Sequence, residues 1–454
     1  MATVANTQAE QKASREFVRL SAENYLSRDF AQKEKENLWP RVWQVACREE
    51  QIPKVGDYIV YDVADETIVV VRRPGGVFKA FYNVCPHRGR QIMEGEGHAV
   101  NFRCGYHNWT FDLDGKNVAV QDKHDWGEFL DKECLDLVSV RTGAWGGFVF
   151  VCMDDDCPPL EKYLDPIPEY LDPYEFENMR MRWALELHID CNWKVALEAF
   201  MEGYHVAATH TQLLPQQGED YTTSFAHGLH SHFGYWDSQV PIGLPSPRLK
   251  KEAPKDVRHG LIEFFRQMEE DFGAIFTDRD YDATKRLLEE CPSDADAMTV
   301  FGMAVKFGQE AAEKEGCGFP PNLTPEAMYK AGTDWHIFPN CVTLPYFDGA
   351  VWYRARPNGD DPEKCIFNVY SLMRYGPGKE PGAKMEVHKD IEGKSFGLIV
   401  DQDLTNMAKV QKGMKSKGFR YALPNPVQEV EISNFHKHLE HYVLGQRRPP
   451  NLDG

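Results

Sequence analysis

Two short ligand pairs constrain this chain more than anything else in it: Cys85-Pro86-His87 and Cys104-Gly105-Tyr106-His107. The sixteen residues 88–103 separate them, so the pairs lie on two loops that the fold has to bring together. Pro86 stiffens the first loop, Arg88-Gly89 follows it directly, and Tyr106 sits inside the second, giving CPHRG and CGYHNW.

Two thiolates and two imidazoles are the ligand set of a Rieske [2Fe-2S] cluster, in which the cysteines hold one iron and the histidines the other. Neutral imidazoles make the reduced cluster easier to reach, which raises the potential to between about −150 and +300 mV. The same four residues also satisfy a structural Cys2His2 zinc site, and the alternative is a non-enzymatic electron-transfer or zinc-structural protein. The residues around the ligands favour iron-sulfur: the loops resemble those of the Rieske non-haem iron ring-hydroxylating oxygenases, large (alpha) subunit. One position departs, because Asn108 follows the last histidine where that family commonly has Gly.

A chain of 454 residues exceeds a single core, so more than one domain is expected. The formal net charge of −19 disfavours nucleic acid and anionic membrane surfaces as partners. The N-terminal residues carry no apolar core of signal-peptide length, and no later run is long enough to span a bilayer, so a cytoplasmic location is expected. Eleven cysteines, irregularly spaced outside the two loops, fit free thiols in a reducing compartment.

Residues 8–44 carry apolar side chains at helical intervals until Pro40 and read as a helical arm, residues 1–44, attached to the catalytic domain. From Val55 the period changes, and β-rich runs at 58–61, 67–71 and 77–81 alternate with turn signals. A strand at 108–112 leads into the turn Asp114-Gly115, and 147–153 closes the domain. The acidic, proline-bearing stretch 154–159 marks a boundary. The expected architecture is α+β: an antiparallel β Rieske [2Fe-2S] domain over 45–157, then a larger catalytic domain over 158–454, an antiparallel sheet covered by helices.

A second chemical signal lies at 192–210. Trp193, Leu197, Phe200 and Tyr204 keep one helix face apolar, while Glu198, Glu202 and His205 fall on another. Glu202 and His205 are one turn apart and can touch. His210 is five residues past His205, so gathering both imidazoles on one ion requires the helix to end, loosen or bulge between Val206 and Thr209. Two histidines and a carboxylate from elsewhere form the facial triad of non-haem Fe(II) oxygenases. The plain alternative is a helix-capping Tyr-His pair with His210 unrelated.

The same family carries Asn-Trp-Lys, Glu-Asn-Phe and Asp-x-x-Tyr-His in this region, with a second His five residues on. The resemblance implies His205 and His210 as ligands of a mononuclear Fe(II). It further implies that Glu202, where most members have Asp, bridges the iron site to a cluster histidine of a neighbouring subunit, as in the carnitine oxygenases, which also use Glu. Ala199 replaces a common Asn. For the third ligand the resemblance implies Asp403, four residues before Met407, with Asp401 as the alternative. His227, His230 and His232 read as a strand with His227 on the opposite face, His436, His438 and His441 as a polar helix face, and His188 as a support for the catalytic helix.

Together these motifs imply a terminal oxygenase component. It would take O2 and a small-molecule substrate, with electrons from NAD(P)H through a separate reductase, with or without a ferredoxin, since the chain has no dinucleotide fingerprint. The family's head-to-tail ring implies a homotrimer, and a small beta subunit is compatible with the length. Leu213, Leu214, Phe301 and Trp352 suggest an apolar, aromatic substrate; N- or O-demethylation is the alternative reaction.

Overall fold

The computed structural model describes residues 17–445. They divide into two compact units: residues 33–163, and residues 17–32 together with 164–445. Divisions were expected at 44/45 and 157/158. The first moves toward the N-terminus because the helix Arg28–Asn37 does not end an arm: Lys35 pairs with Asp65 of the smaller unit, and Leu38 and Trp39 are buried. The part of the helical arm before residue 17 lies outside the described residues.

The smaller unit is built on β-branched runs, which suit a pleated, half-buried surface. Its strands are β1 (Gln44–Arg48), β2 (Asp57–Val63), β3 (Glu66–Arg72), β4 (Phe78–Tyr82), β5 (Glu96–His98), β6 (Phe102–Arg103), β7 (Thr110–Phe111), β8 (Asn117–Ala119), β9 (Ser139–Trp145) and β10 (Phe148–Cys152). A seven-stranded antiparallel sheet runs β1-β10-β9-β4-β3-β2-β5, and a three-stranded sheet β6-β7-β8 stands beside it. Val69, Phe81, Phe102, Trp109 and Phe111 form one core with Cys85 and Cys104, so the thiols sit at the edge of a packed apolar interior. Each buried Phe contributes about 1.5–3 kcal/mol to holding the sheets together. The strand expected over 108–112 shortens to two residues, because Asp112 turns the chain by accepting from the backbone N–H groups of Asp114 and Lys116.

In the larger unit an eight-stranded sheet is formed by β11 (Arg180–Ile189), β12 (Thr223–His227), β13 (His230–Gly234), β14 (Asp334–Ile337), β15 (Cys341–Pro345), β16 (Gly349–Pro357), β17 (Cys365–Met373) and β18 (Met385–His388), in the order β12-β13-β14-β15-β16-β17-β11-β18. The sheet is not wholly antiparallel as expected. After β17 the chain crosses to the far side of β11, so β18 pairs parallel to β11 at the edge. Helices α1 (Trp193–Glu198), α2 (Leu398–Met414) and α3 (Val430–Val443) belong to this unit, and Trp193 and Phe435 meet edge to face at 5.6 Å. The stretch 245–330 is helical, with Arg258–Gln267 running into a π-helical turn, Met268–Phe272, and Ala297–Glu315 following. No helix among the described residues is long and apolar enough to cross a membrane.

Candidate metal centres

The two Cys-His loops have the same backbone plan. The Cys85 N–H donates to the Arg90 carbonyl at 2.8 Å and the Cys85 carbonyl accepts from Gly89 N–H; the Cys104 N–H donates to the Trp109 carbonyl at 2.8 Å and its carbonyl accepts from Asn108 N–H. Gly89 and Asn108 hold equivalent positions, with φ of +73° and +61°. Asn enters the left-handed region more readily than other side-chain-bearing residues, which accounts for its standing where Gly is common.

Both thiols are 2% exposed. Burial pushes the Cys85 thiol up, while the backbone N–H of His87 pulls it the other way. The His87 and His107 rings lie 4.6 Å apart, with His87 stacked on Trp109 at 4.9 Å. The pKa of His87 is lowered by burial, His107 and Arg88, so the ring is held neutral, its ligand form. Its Nδ1 is buried without a hydrogen-bond partner, as suits an atom reserved for a metal. Two buried thiols and a His87 Nδ1 left unpartnered supply the thiolate and imidazole donors that a Rieske [2Fe-2S] cluster takes.

The second centre corrects the expected helix. α1 ends at Glu198, Tyr204 is half exposed rather than on the core face, and residues 206–209 are themselves a helical turn. The break comes early because Phe200 leaves the helix to stack on Tyr353 at 3.8 Å, and Glu202 takes over backbone hydrogen bonding. Its Oε2 accepts from His205 N–H at 2.9 Å and its Oε1 faces His205 Nδ1 at 2.8 Å. This releases the chain to turn, and His205 Nε2 comes to 3.3 Å from His210 Nε2.

Asp403 projects from α2 with Oδ1 at 3.1 Å from His210 Nε2 and 3.6 Å from His205 Nε2. Burial opposes a charged His205, but the hydrogen bond and charge of Glu202, with Asp403 beyond, outweigh it and raise the pKa. Asp401 is engaged elsewhere, accepting from Ser395 Oγ and from Phe396 N–H. Two imidazoles and a carboxylate fit one divalent iron with open positions.

An apolar cavity of about 280 Å³ opens on the triad, lined by Phe200, Leu213, Phe264, Met268, Phe276 and Phe301 among others. Leu213 and Phe301 line it as expected, while Leu214 and Trp352 do not; Trp352 packs edge-on to Phe176. Glu202 and Asp403 line this cavity and also a second, of about 310 Å³, that includes Glu198 and Glu429. Burial, then the charges of Glu202 and Glu198, push Glu429 up to about 7 against the Asn425 N–H.

Three other histidine readings change. His227 and His232 meet across the β12-β13 hairpin, Nε2 to Nε2 at 3.3 Å, so the run is two strands rather than one, and burial lowers the pKa of both. His436 and His438 are buried rather than on a polar face; His436 Nε2 is 2.7 Å from Glu198 Oε1 and 2.9 Å from the Tyr25 hydroxyl. His188 faces Asn358 and Glu186 and not the triad. The sequence reading missed Gln402 and Glu429; the only signal for Gln402 is a polar residue beside a candidate ligand.

A loop-held Cys2His2 set on one unit, and a two-histidine, one-carboxylate set over an apolar cavity on the other, define a protein with two distinct metal centres. The chain belongs to the ring hydroxylating alpha subunit family: residues 176–445 match its catalytic domain, and residues 42–130 match the Rieske [2Fe-2S] domain. A Rieske cluster, a mononuclear iron and electron delivery through a reductase are typical of that family.

The chain is 30% identical over 253 residues to the carnitine monooxygenase oxygenase subunit of Escherichia coli K12, covering 53% of this chain and 64% of that one. It is 33% identical over 189 residues to the subunit of that name from Acinetobacter baumannii, covering 41% and 51%. To the large oxygenase component of the naphthalene 1,2-dioxygenase system of Pseudomonas putida it is 35% identical over 204 residues, covering 42% and 44%. The matches thus span less than two thirds of these relatives. Its fold is similar to that of a quaternary ammonium Rieske monooxygenase in complex with L-carnitine (TM-score 0.62, 19% identity, 94% and 96% covered). It is also similar to that of naphthalene 1,2-dioxygenase with indole bound in the active site (TM-score 0.65, 20% identity, 96% and 94% covered).

Proposed function

We propose that this protein is the terminal oxygenase component of a multicomponent system, using O2 and electrons from NAD(P)H, delivered by a separate reductase, to hydroxylate an uncharged, apolar, aromatic small molecule. Cys85, His87, Cys104 and His107 would hold the [2Fe-2S] cluster, and His205, His210 and Asp403 the mononuclear iron. When bound, the iron supplies the site at which dioxygen is activated. The observation that carries the substrate reading is the charge distribution of the cavity: among the described lining residues the only acidic or histidine side chains are Glu202, His205, His210 and Asp403, and there is no Lys or Arg.

A substrate carboxylate would enter this wall with no Lys or Arg to pair with it and would lose its hydration there. Aromatic rings such as Phe276 and Tyr346, 4.4 Å apart between centroids, instead offer stacking surface and exclude water. At about 280 Å³ the cavity is at the small end for organic ligands, which limits the substrate to a compact molecule. Glu202 keeps Nε2 of His205 free by taking the Nδ1–H, and with its place on two cavities it is suited to bridge His205 to a cluster histidine of a neighbouring subunit in a homotrimer.

Glu202 also supports a second reading, because the carnitine oxygenases use Glu there: N- or O-demethylation of a neutral methyl-bearing aromatic. A panel of neutral aromatics, methoxy- and N-methylaromatics, carnitine and glycine betaine, run with a surrogate reductase, separates the readings by oxygen uptake, product mass and formaldehyde release. Turnover of neutral aromatics alone is expected; efficient turnover of carnitine or glycine betaine would overturn the substrate reading. Glu202→Gln should leave the cluster's visible spectrum intact and suppress turnover at least tenfold. Normal substrate-dependent oxygen uptake in that variant would remove the bridging role.

A further inference from the structure

The two triad histidines are held from behind by unlike groups. His205 Nδ1 faces the Glu202 carboxylate, whereas His210 Nδ1 lies 2.8 Å from Gln402 Oε1. An amide can present either its oxygen or its nitrogen, so what orients Gln402 decides the tautomer of His210. Gln212, two residues past His210, supplies a partner. Its Nε2 donates to Gln402 Oε1 at 2.9 Å, and its Oε1 accepts from Gln402 Nε2 at 3.3 Å. The Gln212 carbonyl in turn accepts from Gln267 Nε2 at 3.1 Å, which ties this pair to the π-helical turn at the cavity wall.

We infer that Gln402 and Gln212 form a paired-amide clamp that holds His210 in the Nδ1–H tautomer and so keeps its Nε2 free for the metal. The inference rests on the metal-centre reading above. An oxygen facing Nδ1 can only accept, so the ring proton stays on that nitrogen and the lone pair of Nε2 points toward Asp403, 3.1 Å away. Gln402 precedes Asp403 on α2, so one turn of helix delivers both the carboxylate ligand and the group that orients the histidine. Outer partners of this kind govern metal affinity as well as geometry. Gln402 and Gln212 are positioning residues: they act through His210 and touch no reacting atom.

The test compares wild type with Gln402→Met, Gln402→Glu and Gln212→Met in the full chain. The readouts are the rate at which a ferrous chelator removes the mononuclear iron and the ligand-field spectrum after cobalt(II) is loaded at that site. Gln402→Met keeps only a weak thioether acceptor and should loosen the ion about 10–100-fold. Gln402→Glu, which only accepts, should stay within a few-fold of wild type with an unchanged cobalt spectrum. Gln212→Met should shift in the direction of Gln402→Met by a smaller factor. Unchanged cluster absorbance and melting temperature identify the variants as folded. Metal retention in Gln402→Met equal to wild type, or loss in Gln402→Glu as large as in Gln402→Met, overturns the clamp. A wild-type chain that takes up no ion sensitive to Asp403→Ala overturns the metal-centre reading itself, and the clamp with it.

Discussion

Asn108 shows how far single residues can be read. Against the family pattern it stands out as a departure, and no spacing argument says whether it matters. The backbone supplies the reason, since Asn108 and Gly89 occupy the same left-handed position in two loops of one design. A β-branched side chain there costs about 1–2 kcal/mol. Asn108→Val should therefore lower the melting temperature and cluster occupancy, followed by visible absorbance, while Asn108→Gly should retain both. The third ligand was likewise ambiguous in sequence, where Asp401 and Asp403 are two residues apart on one helix. Direction separates them: Asp401 turns back to Ser395 and Phe396, while Asp403, 4% exposed, faces both imidazoles.

At the scale of elements, the β runs of the smaller unit were legible because alternating Val, Ile, Tyr and Thr mark a strand whatever surrounds it. The helix at 192–205 was not, because apolar period alone extends it to Tyr204. Phe200 turning out to stack on Tyr353 ends it six residues earlier, and the Glu202 carboxylate then takes the His205 N–H. Tertiary pairing also hides a carboxyl pair between β14 and α3. Asp334 and Glu431 are both fully buried, and burial, with Asp334's charge for Glu431, raises their pKa values well above the usual carboxylate range. A raised folded-state pKa contributes stability that is present below the unfolded value, about 4, and is lost as pH rises through the folded one. Wild-type melting temperature should accordingly fall as pH rises above about 4, and Glu431→Gln should flatten that fall. A variant whose loss with rising pH matched wild type would assign the loss to other groups.

For the whole molecule, the two candidate centres belong to separate compact units, and the candidate carboxylate ligand of the second is nearly two hundred residues from its two histidines in sequence. No periodicity connects His210 to Asp403; only the resemblance to a family did, and the fold then brings them to 3.1 Å. If the centres work across subunits, co-expressing Cys85→Ser with Asp403→Ala, each inactive alone, should recover part of the activity, and none would be recovered if each chain works by itself. The central claim, that one chain carries a Rieske cluster and a separate mononuclear iron, is tested most directly by counting metals. Wild type should hold about three irons and two acid-labile sulfides per chain, two irons in the cluster and one at the triad, and Asp403→Ala should lose one iron while keeping the cluster spectrum. Zinc in place of the loop iron, or an iron count unchanged by Asp403→Ala, would contradict it.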